Sequence, residues 1–165
     1  MVREGKYKVK IIAGPLNTEG QITLIEDPLD HSTKAQKDAD YEAVMRSFHM
    51  QESLAALMDS VMTEQKLIKD MKDKSPIVKE YYDSLEAIRA ELVPVKEGRT
   101  VLFVDEEKIR DKISDIYAGV NFYQGEPTSS QVEGLNRLQR DIVDTNKKLE
   151  TRKKTYRPKI NEEYK

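Results

Sequence analysis

The spacing of apolar side chains changes once along this chain, and that change divides it into two unequal parts. Near the start, Tyr7, Val9 and Ile11 alternate with Lys8 and Lys10, the period-2 pattern of a half-buried strand. The turn cluster Gly14-Pro15-Leu16-Asn17-Thr18-Glu19-Gly20 leads to a second alternating run, Gln21 to Ile25. From about Thr33 the apolar residues recur every three or four positions instead, which is the signature of amphipathic helix. After Asp27-Pro28 no convincing strand of comparable length follows. A lone two-stranded hairpin is marginal in water. The hairpin is therefore expected to lean on something else, and the chain reads as a fragment.

The helical part carries its own punctuation. Ser32 and Thr33 are both suitable N-caps, and Thr33 with Gln36 fits a capping box. No glycine or proline interrupts the stretch from Ser32 to Lys74, so a helix of roughly 40 residues, about 60 Å long, is expected. Its apolar positions are Val44, Met45, Phe48, Leu54, Ala55, Leu57, Met58, Val61, Met62, Ile68 and Met71. That wide stripe suits a helix touching two neighbours. Ser75-Pro76 opens a second helix, with Val78, Tyr81, Tyr82, Leu85, Ile88 and Leu92 on its buried face and Pro94 as its stop.

Arg99 to Val104 reads as an extended connector packed on the bundle. Asp105 is expected to cap a third helix, with Glu106 and Glu107 in its first turn and Ile109, Ile113, Ile116 and Val120 as its stripe. Thr128 and Gln131 form another capping box. The last helix shows Val132, Leu135, Leu138, Ile142, Leu149 and Tyr156 at heptad-like spacing, with Arg157-Pro158 expected to end it and the residues from Asn161 to Lys165 frayed. The expected architecture is mainly α: an antiparallel three- to four-helix bundle with a long first helix, preceded by a short N-terminal β-hairpin. The division falls at residues 1–28 for the hairpin and 29–165 for the bundle.

Composition narrows the function. Charged residues make up 35% of the chain, yet the net charge is only −2, so no global field draws nucleic acid or anionic lipid. There are no cysteines, which removes disulfides and thiolate chemistry. No run approaches the 18 or so apolar residues of a membrane helix. There is no phosphate-cradling glycine loop and no Gly-x-Ser-x-Gly elbow.

His31 and His49 have no metal-ligand partner at helical spacing; His31 reads as a loop residue and His49 as the edge of the buried stripe. Met45, Met50, Met58, Met62 and Met71 read as core filling rather than a partner-binding surface. Tyr81 and Tyr82 read as core or boundary packing. The basic segment Lys147, Lys148, Arg152, Lys153, Lys154, Arg157 and Lys159 reads as solvated charge near a helix C-terminus, since no aromatic interleaving accompanies it. Glu106-Glu107 would hold a cation only if other carboxylates converged on them. No catalytic, cofactor-binding or metal-binding residue is assigned.

The order of segments resembles a known family. Gly5-Lys6-Tyr7-Lys8-Val9-Lys10-Ile11, the exit Glu26-Asp27-Pro28 and the capped long helix resemble the C-terminal region of bacterial sortilin-like proteins. These are secreted or envelope proteins with β-propellers of neuraminidase-type (BNR) repeats, often labelled glycosyl hydrolase-like. Lys112-Ile113-Ser114-Asp115-Ile116-Tyr117-Ala118-Gly119-Val120 is similar to the Lys-Leu-x-x-Leu-x-Gly-Val block of their helical tail. Gly125-Glu126-Pro127-Thr128-Ser129-Ser130-Gln131 resembles its Gly-Asp-x-x-Pro-Thr-x-x-Gln turn. The family's Asp-Pro-Arg exit is Asp27-Pro28-Leu29 here, and no propeller repeat or tryptophan occurs.

The resemblance implies that the hairpin closes a truncated Ig-like domain and that the chain is a non-catalytic C-terminal structural or interaction module. Its partner would be the remainder of the parent chain, propeller or Ig-like domain, and the parent would be secreted or in the cell envelope. No hydrolase residue carries over. The alternative is an autonomous helical interaction domain that forms a homo-oligomer through a surplus apolar stripe on the long helix.

Overall fold

The computed structural model describes residues 3–71, 75–94, 107–122 and 125–164. Two strands, β1 (Gly5–Ala13) and β2 (Leu16–Leu24), precede four helices: α1 (Lys34–Ile68), α2 (Pro76–Leu92), α3 (Ile109–Asn121) and α4 (Ser129–Glu163). A short 3₁₀ turn, Lys69–Met71, extends α1.

Each of three helix starts follows from its cap. Thr33 accepts from the Gln36 amide while the Gln36 side chain returns to the Thr33 N–H, and Thr128 with Gln131 repeats the arrangement at α4. Ser75 accepts from the Val78 amide and places Pro76 at N1, where a missing N–H costs nothing. α3 departs from expectation. Lys108 is its N-cap, and Asp111 rather than Glu107 is the acid of its first turn, its carboxylate accepting from the Lys108 N–H at 3.3 Å. Ile109, Ile113 and Val120 must face the core together, and a start at Ile109 allows that. The Asp105 cap and the Arg99–Val104 connector lie outside the described residues.

Cross-links between helices give their directions. Arg46 donates to Asn136 at 2.8 Å, and eighteen or so residues later Glu64 meets Arg157, so α1 and α4 run parallel. α2 runs against both: Ser75 meets Glu163, Glu80 meets Tyr156 and Glu91 meets Lys148. α3 also runs against α4, with Ile116 over Gly134 and Gln131 beside Gly119. The four helices thus form three rods, of which the return rod is α2 followed end to end by α3. α1 and α4, of 35 residues each, are about 52 Å long at 1.5 Å per residue.

Two expectations about the helix surfaces are corrected. Phe48 is 42% exposed rather than core, and Met62 and Val132 are also exposed. The buried seam of α1 steps by alternate threes and fours through Ala43, Ser47, Met50, Leu54, Leu57, Val61, Glu64 and Ile68. That phase admits Ser47, whose hydroxyl is satisfied by the Val44 carbonyl at 2.8 Å, and turns its neighbour Phe48 outward. Second, Pro158 does not end α4, which continues to Glu163. Pro158 itself is exposed while Tyr156 and Ile160 on either side of it are buried, so packing outweighs the one lost helical hydrogen bond.

Candidate functional site

The hairpin exposes apolar surface that its own fold does not account for: Ile11, Ile12, Leu16 and Ile22 are all exposed. Its turn is two residues, Gly14-Pro15, so β2 begins at Leu16, five residues before the alternating run that the sequence makes evident. Gly14 has φ 58°, and Pro15 supplies a negative φ next to it; glycine first in a two-residue loop is the type II′ pattern that matches strand twist. The register is Gly5↔Leu24 through Ala13↔Leu16.

Directly paired residues share a face. One face therefore carries Tyr7, Val9, Ile11 and Ala13 beside Ile22, Leu24 and Leu16, and the other carries Lys6, Lys8 and Lys10 beside Thr23, Gln21 and Glu19. The alternation expected of a half-buried strand is present, but among the described residues it is covered only in part: Tyr7, Val9 and Leu24 are half-buried and the other apolar positions are exposed. Among the described residues no helix packs extensively on either strand, and Ile11 and Ile22 are 59% and 48% exposed. The link to the bundle is polar and sits at the base. Arg3 pairs with Asp38 at 3.1 Å and lies 4.0 Å over the Tyr41 ring, while Lys37 reaches Glu26 and Asp30. Asx turns shape the exit: Asp27 accepts from the Leu29 amide and Asp30 from the Ser32 amide. The Ser32 contacts, with Lys37 nearby, hold the Asp30 carboxyl down to about 2.

At the opposite end the bundle closes on a buried polar cluster that apolar periodicity could not reveal. Glu64 is 3% exposed. It accepts from the Tyr81 hydroxyl at 2.8 Å and from Arg157 through both Nε, at 3.0 Å, and Nη2. Tyr81 stacks on Tyr156 with ring centroids 5.0 Å apart, and the Tyr156 hydroxyl donates to Glu80 at 2.7 Å. Burial raises the Glu64 carboxyl, but the hydrogen bonds from Arg157 and Tyr81 more than offset it, and its pKa lies below the ordinary value. The same burial, followed by the Glu64 contact, raises the Tyr81 hydroxyl. Among the described residues no buried side-chain polar atom is left without a hydrogen-bond partner. The cluster ties α1, α2 and α4 together.

The remaining candidates resolve into ordinary surface chemistry. His49 is exposed, with Nδ1 2.8 Å from Glu52 and its ring edge-on to Phe48; His31 sits in the exposed loop before α1. The basic segment is laced with acids. Lys147 pairs with Asp144, Lys148 with Glu91, Lys153 with Glu150 and Arg157 with Glu64. Met50 is buried and Met58 partly so, whereas Met62 faces solvent. Tyr81 is core, and Tyr82 packs at the boundary.

Where α2 gives way to α3, a cleft of about 410 Å³ is lined by Glu91, Glu107, Lys112, Asp141, Asp144 and Lys148 among others. Its acids and lysines largely neutralise one another. Among the described residues no group of three or more His, Cys, Asp or Glu side chains could hold a metal ion, and no helix is long and apolar enough to cross a membrane. No protein-family model, no curated protein and no solved structure matches the chain.

Proposed function

We propose that this chain is a non-catalytic C-terminal structural or interaction module of a larger secreted or envelope β-propeller protein, with its hairpin serving as the closing pair of an Ig-like domain. The observation that carries the reading is the largely exposed apolar face of the two-stranded sheet, on which Ile11, Leu16 and Ile22 are exposed and Tyr7, Val9 and Leu24 only half-buried. Such a hairpin gains too little by itself to offset the ordering of its backbone. A second sheet laid on that face, from the preceding part of the parent, would give it a core. The rod behind it would then close off or space the propeller-bearing body.

Amide hydrogen exchange on the isolated chain tests this. The amides of β1 and β2 should exchange close to the rate of an unfolded chain, while Leu54, Val61, Leu135 and Leu149 in the bundle stay protected. Hairpin protection equal to that of the helices would mean the two strands are complete as they stand, and the reading would fail.

A second reading has its own observation. Phe48, Ala55 and Met62 recur every seven residues on one exposed stripe of α1, a spacing suited to pairing with the same stripe of another copy. Light scattering across a concentration series separates the two, because a concentration-independent monomer excludes self-association.

A further inference from the structure

The two edges of the hairpin are not equivalent, and their chemistry selects a partner. In a two-residue hairpin the flanking pair, Ala13 and Leu16, exchanges hydrogen bonds, and every second pair beyond it does the same. Lys6, Lys8, Lys10 and Ile12 therefore turn their backbone N–H and C=O groups away from β2, and no further strand meets them among the described residues. Unpaired strand edges of this kind are templates for strand addition. The side chains on those same positions are three lysines in a row on one face. Of these, Lys8 reaches Glu19 at 2.7 Å, while Lys6 and Lys10 show no ion pair among the described residues. The corresponding outward positions on β2 are Asn17, Glu19, Gln21 and Thr23, which carry a single charge.

From this juxtaposition we infer that the free edge of β1 receives an extended segment in which acidic and apolar side chains alternate. This inference rests on the reading of the hairpin as part of a larger sheet, and adds which edge is extended and by what. Cross-strand neighbours of opposite charge attract, and like charges opposite one another repel. Carboxylates on the added strand would face Lys6, Lys8 and Lys10. Its alternate apolar residues would extend the Tyr7–Val9–Ile11 face by one strand. The same rule excludes a second copy of β1 at this edge, since lysine would then face lysine. Net charge makes no such selection, because the chain as a whole stands at −2.

The test uses the full chain and three synthetic peptides of equal length: alternating Glu and Val, alternating Lys and Val, and alternating Thr and Val. Binding is followed by titration, and amide exchange shows where each peptide sits. The Glu–Val peptide should protect the amides of Lys6, Lys8, Lys10 and Ile12 and should bind at least about tenfold more tightly than the Thr–Val peptide. Raising the salt concentration should erase most of that difference.

The double variant Lys6→Thr with Lys10→Thr puts β-branched residues, which favour strand, in place of the two lysines. It should lose the preference for Glu–Val while still binding Thr–Val. Protection of Asn17, Glu19, Gln21 and Thr23 instead would place the partner on the other edge and overturn the inference. Equal binding of the Lys–Val peptide would overturn the charge argument, and no binding by any peptide would overturn the whole. These outcomes are independent of the exchange rates of the unliganded hairpin, so this inference can fail while the module reading stands.

Discussion

Glu64 and Arg157 lie 93 residues apart in the chain, yet the Arg157 guanidinium closes over the Glu64 carboxylate with Nε 3.0 Å from Oε2. The carboxylate is buried, whereas about half of the arginine side chain remains in solvent. That asymmetry decides which partner matters. Desolvating a carboxylate is costly unless its lone pairs are taken, and here Arg157 and Tyr81 take them.

Removing the cation should therefore hurt more than removing the pair. Arg157→Ala is expected to cost about 2–3 kcal/mol, measured as a shift in the urea unfolding midpoint, because Glu64 stays buried without its ion. Combining Arg157→Met with Glu64→Leu and Tyr81→Phe should restore most of that loss, since no buried polar group is left unsatisfied. A triple variant less stable than Arg157→Ala would contradict this account.

Acid should loosen the same end. The folded pKa of Glu64 lies below its ordinary value of 4.5, so its contribution is present above that value and is lost as pH falls through the folded one. Asp40 works in the opposite sense. Burial raises its carboxyl above the ordinary 3.8, so the folded state holds a proton at pH values where the unfolded state has released it, and stability declines as pH rises through that window. Unfolding midpoints between pH 7 and about pH 3 should fall more steeply for the unaltered chain than for Glu64→Gln. Asp40→Asn should be more stable than the unaltered chain at neutral pH. A Glu64→Gln variant with an unchanged acid slope would remove Glu64 from the explanation.

The phase of α1 makes a paired prediction. Leu57→Ala should cost about 2–5 kcal/mol, as expected for a fully buried leucine. Phe48→Ala should cost about 1 kcal/mol or less despite removing a larger side chain, because Phe48 is 42% exposed. Equal costs at the two positions would mean that Phe48 is covered in solution, which would favour self-association through α1.

Pro158 offers a gain of stability. Replacing it by alanine restores an N–H inside α4 and removes the ring's clash with the preceding turn, and should stabilise the bundle by about 1–3 kcal/mol. A neutral result would show that α4 has already relaxed around the proline.

What could be read from the sequence, and what could not, divides along physical range. The caps at Thr33–Gln36, Ser75–Pro76 and Thr128–Gln131 are local, each needing three or four residues to be recognised, and each sits where its pattern places it. Pro94, next to the α2 end at Leu92, belongs with them. Asp40, Ser47, Glu64 and Gln65 were illegible because apolar periodicity counts only apolar residues, while these are buried through partners or neighbours on distant segments or through their own backbone.

Phe48 shows the same limit from the other side. Two overlapping apolar stripes run along α1, and only the packing of α2, α3 and α4 on it selects between them. The Gly14-Pro15 turn was hidden because Leu16, Asn17 and Thr18 look like loop residues until the register pairs them with Ala13, Ile12 and Ile11. The open apolar face of the hairpin, by contrast, was visible from the start as alternation. Whether anything covered it could be decided only once the helices were in place.

The return rod, broken into α2 and α3, has a geometric consequence. The helical part crosses its own length an odd number of times: once in α1, once back through α2 and α3, and once more in α4. An even number would bring the chain back to the side it came from, as in an ordinary four-helix hairpin pair. Three traverses leave the hairpin and the last turn of α4 at opposite poles, separated by about the length of a 35-residue helix. A partner gripping the sheet at one pole would thereby stand about one helix length from a partner meeting the last turn of α4 at the other.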